Sequence, residues 1–86
     1  MERNEIHAKV QDIFHRVFDR ENLVIRDETA AKDISDWDSL AQLNIVVAAE
    51  EAFSVRFQTA EIRALHNVGE FKRLIAEKLA AGGTAR

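Results

Sequence analysis

Asp38-Ser39-Leu40-Ala41-Gln42-Leu43-Asn44-Ile45-Val46-Val47-Ala48-Ala49-Glu50-Glu51-Ala52-Phe53 is the stretch on which the reading of this chain turns. It holds neither proline nor glycine, and its leucines and alanines favour helix. Asp38 stands where a carboxylate can accept from the free amides of a first turn, so the pattern predicts a helix from Ser39 to about Phe53. Leu40, Leu43, Val46, Val47, Glu50 and Phe53 include the expected core stripe, but Ala41, Ile45, Ala48, Ala49 and Ala52 make the other faces unusually apolar. Such a helix carries more apolar surface than one small core can use. It therefore packs inward with one face and has apolar area left for something else.

On its N-terminal side, Arg20 to Asp38 shows no sustained helical period. Leu23, Val24, Ile25, Ile34 and Trp37 are expected to pin this long loop across the open side of a bundle, with room for a short helical turn within it. Ahead of it, Ile6, Val10, Ile13, Phe14, Val17 and Phe18 fall on one stripe of a long helix that ends near Asp19, with Asn4 placed to cap it. On the C-terminal side, Ser54-Val55-Arg56-Phe57 alternates for one short extended stretch. Thr59 is placed to cap a brief helix, Ala60 to Leu65, anchored by Ile62 and Leu65. Asn67 and Glu70 have capping-box spacing ahead of a helix through Ala80, with Phe71, Leu74, Ile75 and Leu79 on its buried face. Residues 81–86 read as a frayed tail. The fold class is all-α: three main helices, one short helix and a long loop between the first two, in a single domain over residues 1–86.

With 86 residues there is room for one small domain and none for a large enzyme with a deep cleft of its own. Hydrophobic types make up 47% and charged types 31%, which describes a folded chain and excludes a disordered one. No cysteine is present, so disulfides, thiolate nucleophiles and thiolate metal sites are excluded and a cytoplasmic setting is expected. The longest apolar run, Ile45 to Ala49, is far below the roughly 20 residues of a membrane span. Met1-Glu2-Arg3-Asn4-Glu5 lacks the layout of an export signal. The net charge of -3 is unevenly spread: Asp27 to Glu51 holds seven acids against Lys32 alone, and the rest of the chain is net basic. Nucleic acid and anionic membrane are therefore poor partners for the middle of the chain, and a basic protein surface is a good one.

Chemistry-bearing residues are few. His7 and His15 lie about 12 Å apart on the first helix, too far for one metal. Glu70 beside His66, like Asp12 and Asp19 beside His15, leaves a zinc site short of ligands. Glu50 and Glu51 are adjacent on a helix and diverge by about 100°, so they form no acid–base pair. No His-Glu-x-x-His, phosphate-cradling glycine loop or nucleophile elbow occurs. What remains is Asp36-Trp37-Asp38-Ser39-Leu40, where Ser39 meets the positive end of a helix. On the local pattern, Asp38-Ser39 is either a plain N-cap or a hydroxyl placed to carry a phosphate. Trp37 is either an anchor for the loop or a contact for a partner.

Asp38-Ser39-Leu40, followed by Leu43, Val46, Glu50, Glu51 and Phe53 and then by Val55, Phe57, Ile62, Val68 and Ile75, resembles the acyl carrier proteins over about Leu23 to Leu79. The resemblance implies a non-catalytic carrier. It implies that a phosphopantetheinyl transferase modifies Ser39 with 4'-phosphopantetheine from coenzyme A, and that the thiol of this arm holds an acyl group as a thioester. By the same resemblance, Asp38 helps to place magnesium-bound coenzyme A in the transferase complex, and Leu40 docks on partner enzymes. Glu50 and Glu51 meet basic residues of acyl-loading and acyl-processing enzymes. Ile45, Val46 or Val47 supplies an apolar patch or the mouth of an acyl cavity. Ala41-Gln42-Leu43-Asn44 stands where typical fatty-acid carriers have more acids, and Ser35-Asp36-Trp37 replaces the usual glycine-rich approach. Both departures fit a specialised discrete carrier, in polyketide, lipid-modification or other secondary biosynthesis, acting as a monomer. A peptidyl carrier holding an aminoacyl group is the alternative within the family, with the missing Gly-Gly before the serine against it. Outside the family, the alternative is an unmodified helical interaction module that dimerises through its apolar helix. A small hydrolase is the weakest reading, because the local pattern sets no histidine beside Ser39.

Overall fold

In the computed structural model, which describes residues 2–81, the chain forms α1 (Arg3–Phe18), a 3₁₀ turn (Ala31–Asp33), α2 (Ser39–Phe53), α3 (Thr59–Arg63) and α4 (Val68–Ala80). The all-α expectation holds, and no strand occurs among the described residues. Ala81 is the turn residue that closes α4, and the rest of the expected frayed tail lies outside the described residues.

α1 buries the expected stripe, with Ile6, Val10, Ile13 and Phe14 at 2% exposure or less. Its cap is Glu2, however, and Asn4 lies inside the first turn. The carbonyl of Glu2 accepts from Glu5 and Ile6 at 3.1 Å, and the Glu5 carboxylate takes the Glu2 amide, so the helix closes before Asn4 can act. Asp19 ends α1 in the left-handed region, φ 54°, and the Arg20 amide returns to the His15 carbonyl at 3.0 Å. Ser54 closes α2 the same way, with Val55 N–H donating to Glu50 O at 3.2 Å.

α2 spans the expected residues but faces the other way round. Its core row is Ala41, Ile45, Ala49 and Phe53, joined by Val46, while Leu40, Leu43 and Val47 face solvent. The reason is spacing: a row repeating every four residues with two alanines lets α1 approach closely, and α1 packs against both α2 and α4. From α4, Val68, Phe71 and Ile75 complete the same cluster, whereas Leu74 is only half-buried.

The long loop is tied down from several sides. Ile25 and Ile34 enter the core, and Trp37 packs edge-on against Phe14 with ring centroids 5.1 Å apart. Val24, expected among the pins, points outward at 67% exposure, because its extended neighbours Leu23 and Ile25 turn inward. His15 Nε2 lies 2.6 Å from the Leu23 carbonyl, and Gln11 Oε1 accepts from the Ile25 amide. The first amides of α4 are satisfied by the loop, Val68 N–H by Thr29 O and Gly69 N–H by Asp27 O, both at 2.8 Å. Glycine eases this approach, since a Cβ on Gly69 would sit 3.0 Å from the Asp27 Cβ and 3.1 Å from its carbonyl oxygen and the loop would have to yield slightly.

Two further boundaries differ from expectation. α3 starts at Thr59 with Gln58 as its cap, because Glu61 reaches back to the Gln58 amide, and it ends at Arg63. Asn67 caps α4 through Glu70 N–H at 2.8 Å, but the Glu70 carboxylate reaches one residue further back, to the His66 amide. The expected reciprocal box is therefore shifted by one residue.

Phe14 touches the loop, α1 and the core together, so Phe14→Ala is expected to lower unfolding free energy by about 3–5 kcal/mol. Val24→Ala should change it by less than about 0.5 kcal/mol. Urea denaturation followed by helical circular dichroism compares the two.

Candidate functional site

Ser39 is the first residue of α2, fully on the surface, and its hydroxyl makes no hydrogen bond among the described residues. Asp38 caps the helix as expected: its Oδ1 accepts from Ala41 N–H at 2.9 Å and its carbonyl from Gln42 N–H at 2.9 Å. The amides of Ser39 and Leu40 have no acceptor among the described residues. An exposed hydroxyl thus stands at the positive end of a capped helix with two donors open beside it. That donor set fits a phosphodiester on Ser39 Oγ.

The approach to Ser39 is held rigidly. The indole N–H of Trp37 donates to Gln42 Oε1 at 2.7 Å, joining the loop before the serine to the first turn after it. Its ring lies against Phe14 and Phe18, and Arg20 pairs with Asp36 at 2.8 Å. Trp37, expected either as anchor or partner contact, is an anchor here, half-buried with its polar edge satisfied.

On the outer face of α2, Leu40, Leu43 and Val47 are 65%, 57% and 44% exposed and fall within one narrow sector, with exposed Glu51 one turn beyond. Ile45 and Val46 are buried at 2% and 5%, so of Ile45, Val46 and Val47, expected to supply an apolar patch or a cavity mouth, only Val47 is available to a surface patch. The Ile45 and Val46 side chains lie on the side of α2 that meets the rest of the bundle. Glu50 is half-buried, and its Oε2 accepts from Phe57 N–H at 3.0 Å, so this carboxylate holds the segment after α2 as well as presenting charge. Leu43, expected with the core stripe, is instead part of the outer ridge. Its spacing from Leu40 and Val47, three and four residues, was the available signal.

Ile45 does line a cavity. A partly open space of about 290 Å³ is walled by Phe14, Ile45, Ile62, Leu65, Val68 and Phe71. Trp37 and Gln42 bound it on the side nearest Ser39 in sequence, and Arg63, His66 and Asn67 stand at its rim. Nothing in the local sequence pattern of Gln42, Arg63 or His66 places them at a cavity, and His66 stood out only as a candidate metal ligand. α3 supplies part of the wall and is secured by Glu61, which accepts from Gln58 N–H at 2.8 Å and from Lys78 Nζ at 3.0 Å. Lys78 also lies over the Phe57 ring, which packs on Phe71.

His15 serves the loop, His7 Nδ1 lies 2.8 Å from Lys72 Nζ, and exposed His66 pairs with Glu70. No group of three metal-ligating residues occurs among the described residues, and none of their helices is long and apolar enough to cross a membrane.

No protein-family model matches the chain. It is 33% identical over 76 residues to an acyl carrier protein of Acidothermus cellulolyticus, covering 88% of this chain and 90% of that protein. An acyl carrier protein of Kineococcus radiotolerans is 39% identical over 54 residues, 63% of this chain and 65% of the relative. The solution NMR structure of the holo acyl carrier protein from Geobacter metallireducens matches with a TM-score of 0.84 at 36% identity, covering 90% of this chain and 88% of that one.

The attachment of α3 generates a pH prediction. The Gln58 amide first, and then the Lys78 ammonium, hold the Glu61 carboxyl below its ordinary value of 4.5. A depressed value in the folded state means that the ionised form stabilises the fold. Its contribution is present above the ordinary value and is lost as pH falls through the lower folded one. Glu61→Gln is therefore expected to lower the thermal midpoint at neutral pH and to flatten its decline on acidification, measured by thermal melts across that range.

Proposed function

The chain belongs to the acyl carrier protein family, and from that premise we propose that it carries acyl groups on a 4'-phosphopantetheine arm attached to Ser39. The observation that supports Ser39 is its setting, an unengaged surface hydroxyl on the first turn of α2 beside two open amides. In this reading a phosphopantetheinyl transferase delivers the group from coenzyme A. Ser39 Oγ forms the new bond to phosphorus, adenosine 3',5'-bisphosphate leaves, and the hydroxyl proton passes to the transferase. When attached, the group supplies a terminal thiol that holds cargo as a thioester.

The chain's own residues do the rest. Asp38 keeps the first turn of α2 wound while Ser39 is presented, since it takes one of the free amides itself. The Ser39 and Leu40 amides and the helix dipole then stabilise the phosphodiester charge, an effect of about 0.3–1 kcal/mol at an exposed helix end. Asp38 also faces solvent, where it can help place magnesium-bound coenzyme A during transfer. The cavity walled by Ile45 and its neighbours shelters the apolar part of the cargo. The tether raises the effective concentration of cargo at whichever partner the domain meets. In this reading the domain is a non-catalytic carrier, and catalysis belongs to the partners.

Acyl-loading and acyl-processing enzymes would meet Leu40, Leu43 and Val47 as an apolar ridge. Glu51 gives that ridge one negative end. A partner surface with an apolar socket and a basic residue beside it fits this face.

Incubation with coenzyme A, magnesium and a broad-specificity transferase should add a single phosphopantetheine mass to the Ser39 peptide. Ser39→Ala should keep the circular dichroism spectrum and gain no mass; a mass gain in that variant would place the attachment elsewhere. Lack of any gain with a cognate transferase, together with a stable dimer, would favour the unmodified interaction module. On the loaded protein, Leu40→Asp and Val47→Asp are each expected to reduce kcat/KM of an acyl-loading enzyme by about tenfold, the scale of losing one buried apolar contact. Neither change should alter the thermal midpoint greatly.

A further inference from the structure

Ser39 is exposed, yet the main chain on both sides of it is fixed. Upstream, Trp37 N–H donates to Ile34 O and Asp38 N–H to Asp36 O, each at 3.0 Å, and the Asp36 carboxylate is paired with Arg20. Downstream, Gln42 N–H donates to Asp38 O at 2.9 Å, the first bond of the α2 ladder. One side-chain bond spans the serine, from two residues before it to three after: Trp37 Nε1–H donates to Gln42 Oε1 at 2.7 Å. Both side chains are half-buried, so water competes less for that bond than it would on an open surface. The tie is anchored in the core, because the Trp37 ring packs edge-on against fully buried Phe14 and lies 6.2 Å from Phe18. No glycine stands between Arg20 and Gln42, so the backbone there lacks the freedom that residue gives.

A transferase has to bring Ser39 Oγ into line with a phosphorus of coenzyme A. A serine on a loose junction of loop and helix would have to be ordered during that encounter, and the ordering would weaken binding. Here the ordering is done in the free protein. Resting on the carrier reading of Ser39, we infer that Trp37 and Gln42 are positioning residues for phosphopantetheinyl transfer, their side-chain bond holding Asp38 and Ser39 in the pose that the transferase engages. Neither residue touches the reacting atoms: Trp37 faces the core and Gln42 faces Trp37. A bond that raises the population of the competent pose tightens recognition of the protein by the same factor. It acts on the encounter and not on the phosphoryl step, so its loss raises KM for the protein and leaves kcat in place.

The test measures transfer from coenzyme A to the whole unmodified protein, with magnesium and a broad-specificity transferase, at a temperature where circular dichroism shows each variant folded. Trp37→Phe keeps an aromatic ring and removes the N–H. Gln42→Met keeps the length of the side chain and removes the acceptor, and Gln42→Glu restores an acceptor. In Trp37→Phe and in Gln42→Met, KM for the protein should rise about fivefold, the scale of one net hydrogen bond, with kcat within about twofold of the starting protein. Gln42→Glu should bring KM back to near its original value. The double variant of Trp37→Phe with Gln42→Met should match the single ones, because one bond is lost only once. Trp37 is the sole tryptophan, so its emission should shift in Gln42→Met and return in Gln42→Glu. A merely structural bond would lower the thermal midpoint and leave KM of the folded variants where it was. An unchanged KM in Gln42→Met, a fall in kcat alone, or a raised KM that Gln42→Glu fails to restore therefore overturns the inference. Should Trp37→Phe fail to fold, the two Gln42 variants decide the matter by themselves. A starting protein that gains no phosphopantetheine from a cognate transferase is a separate result, which overturns the carrier reading; normal loading of that protein and of Gln42→Met alike overturns the positioning role alone.

Discussion

The contact of Trp37 with Phe14 is the constraint on which the rest of the structure depends. An indole set edge-on to a fully buried ring, 5.1 Å between centroids, fixes the end of a loop that would otherwise lie free across the bundle. Its N–H then reaches Gln42, so the same side chain that joins the core also ties the residues flanking Ser39 to one another. A buried polar edge without a partner would cost about 1–3 kcal/mol, and Gln42 removes that cost at the point where α2 begins. Core packing, the start of α2 and one boundary of the cavity are thus three consequences of one residue.

The loop is held at its other end by a different device. α4 offers its first amides to the carbonyls of Asp27 and Thr29, and Gly69 permits the close approach. Helix-end amides that usually rely on side chains are here satisfied by backbone, so loop and helix order each other. Lys72, paired with Asp27 and close to His7, extends this tie from the loop to α1. The cavity lies between these two attachments, and its walls therefore draw on α1, α2, α4 and the segment around α3.

Charge in the acidic middle of the chain is less free than a count of residues implies. Asp36 is paired with Arg20, Asp33 accepts from the Ala30 amide, Asp38 caps α2 and Glu50 holds Phe57. Part of the hydrogen-bonding capacity of each of these carboxylates is used in building the fold. Glu51 and the apolar ridge of α2 are what the helix presents outward, which makes its surface more apolar than acidic.

How much was legible follows from these particulars. The number and order of helices, the span of α2, the Asp38 and Asn67 caps and the exposed place of Ser39 follow from local patterns, because periodicity and capping act within a few residues of the chain. The assignments that changed were those needing a neighbour. Asn4 and Thr59 lost their caps to Glu2 and Gln58 because Glu5 and Glu61 reach back one turn. Val24 turned outward because its two neighbours turned in. α2 is the clearest case: apolar on nearly every side, it carries no internal signal of which row is buried, and only the approach of α1 selects Ala41, Ile45 and Ala49 over Leu40, Leu43 and Val47. By itself the sequence determined the helices, the Asp38 and Asn67 caps and the Ser39 hydroxyl at the start of α2, since these rest on interactions between residues close along the chain. Tertiary structure alone decided which face of α2 meets solvent and that Gln42, Arg63 and Asn67 share the rim of one cavity, because those relations exist only once segments far apart in sequence have packed together.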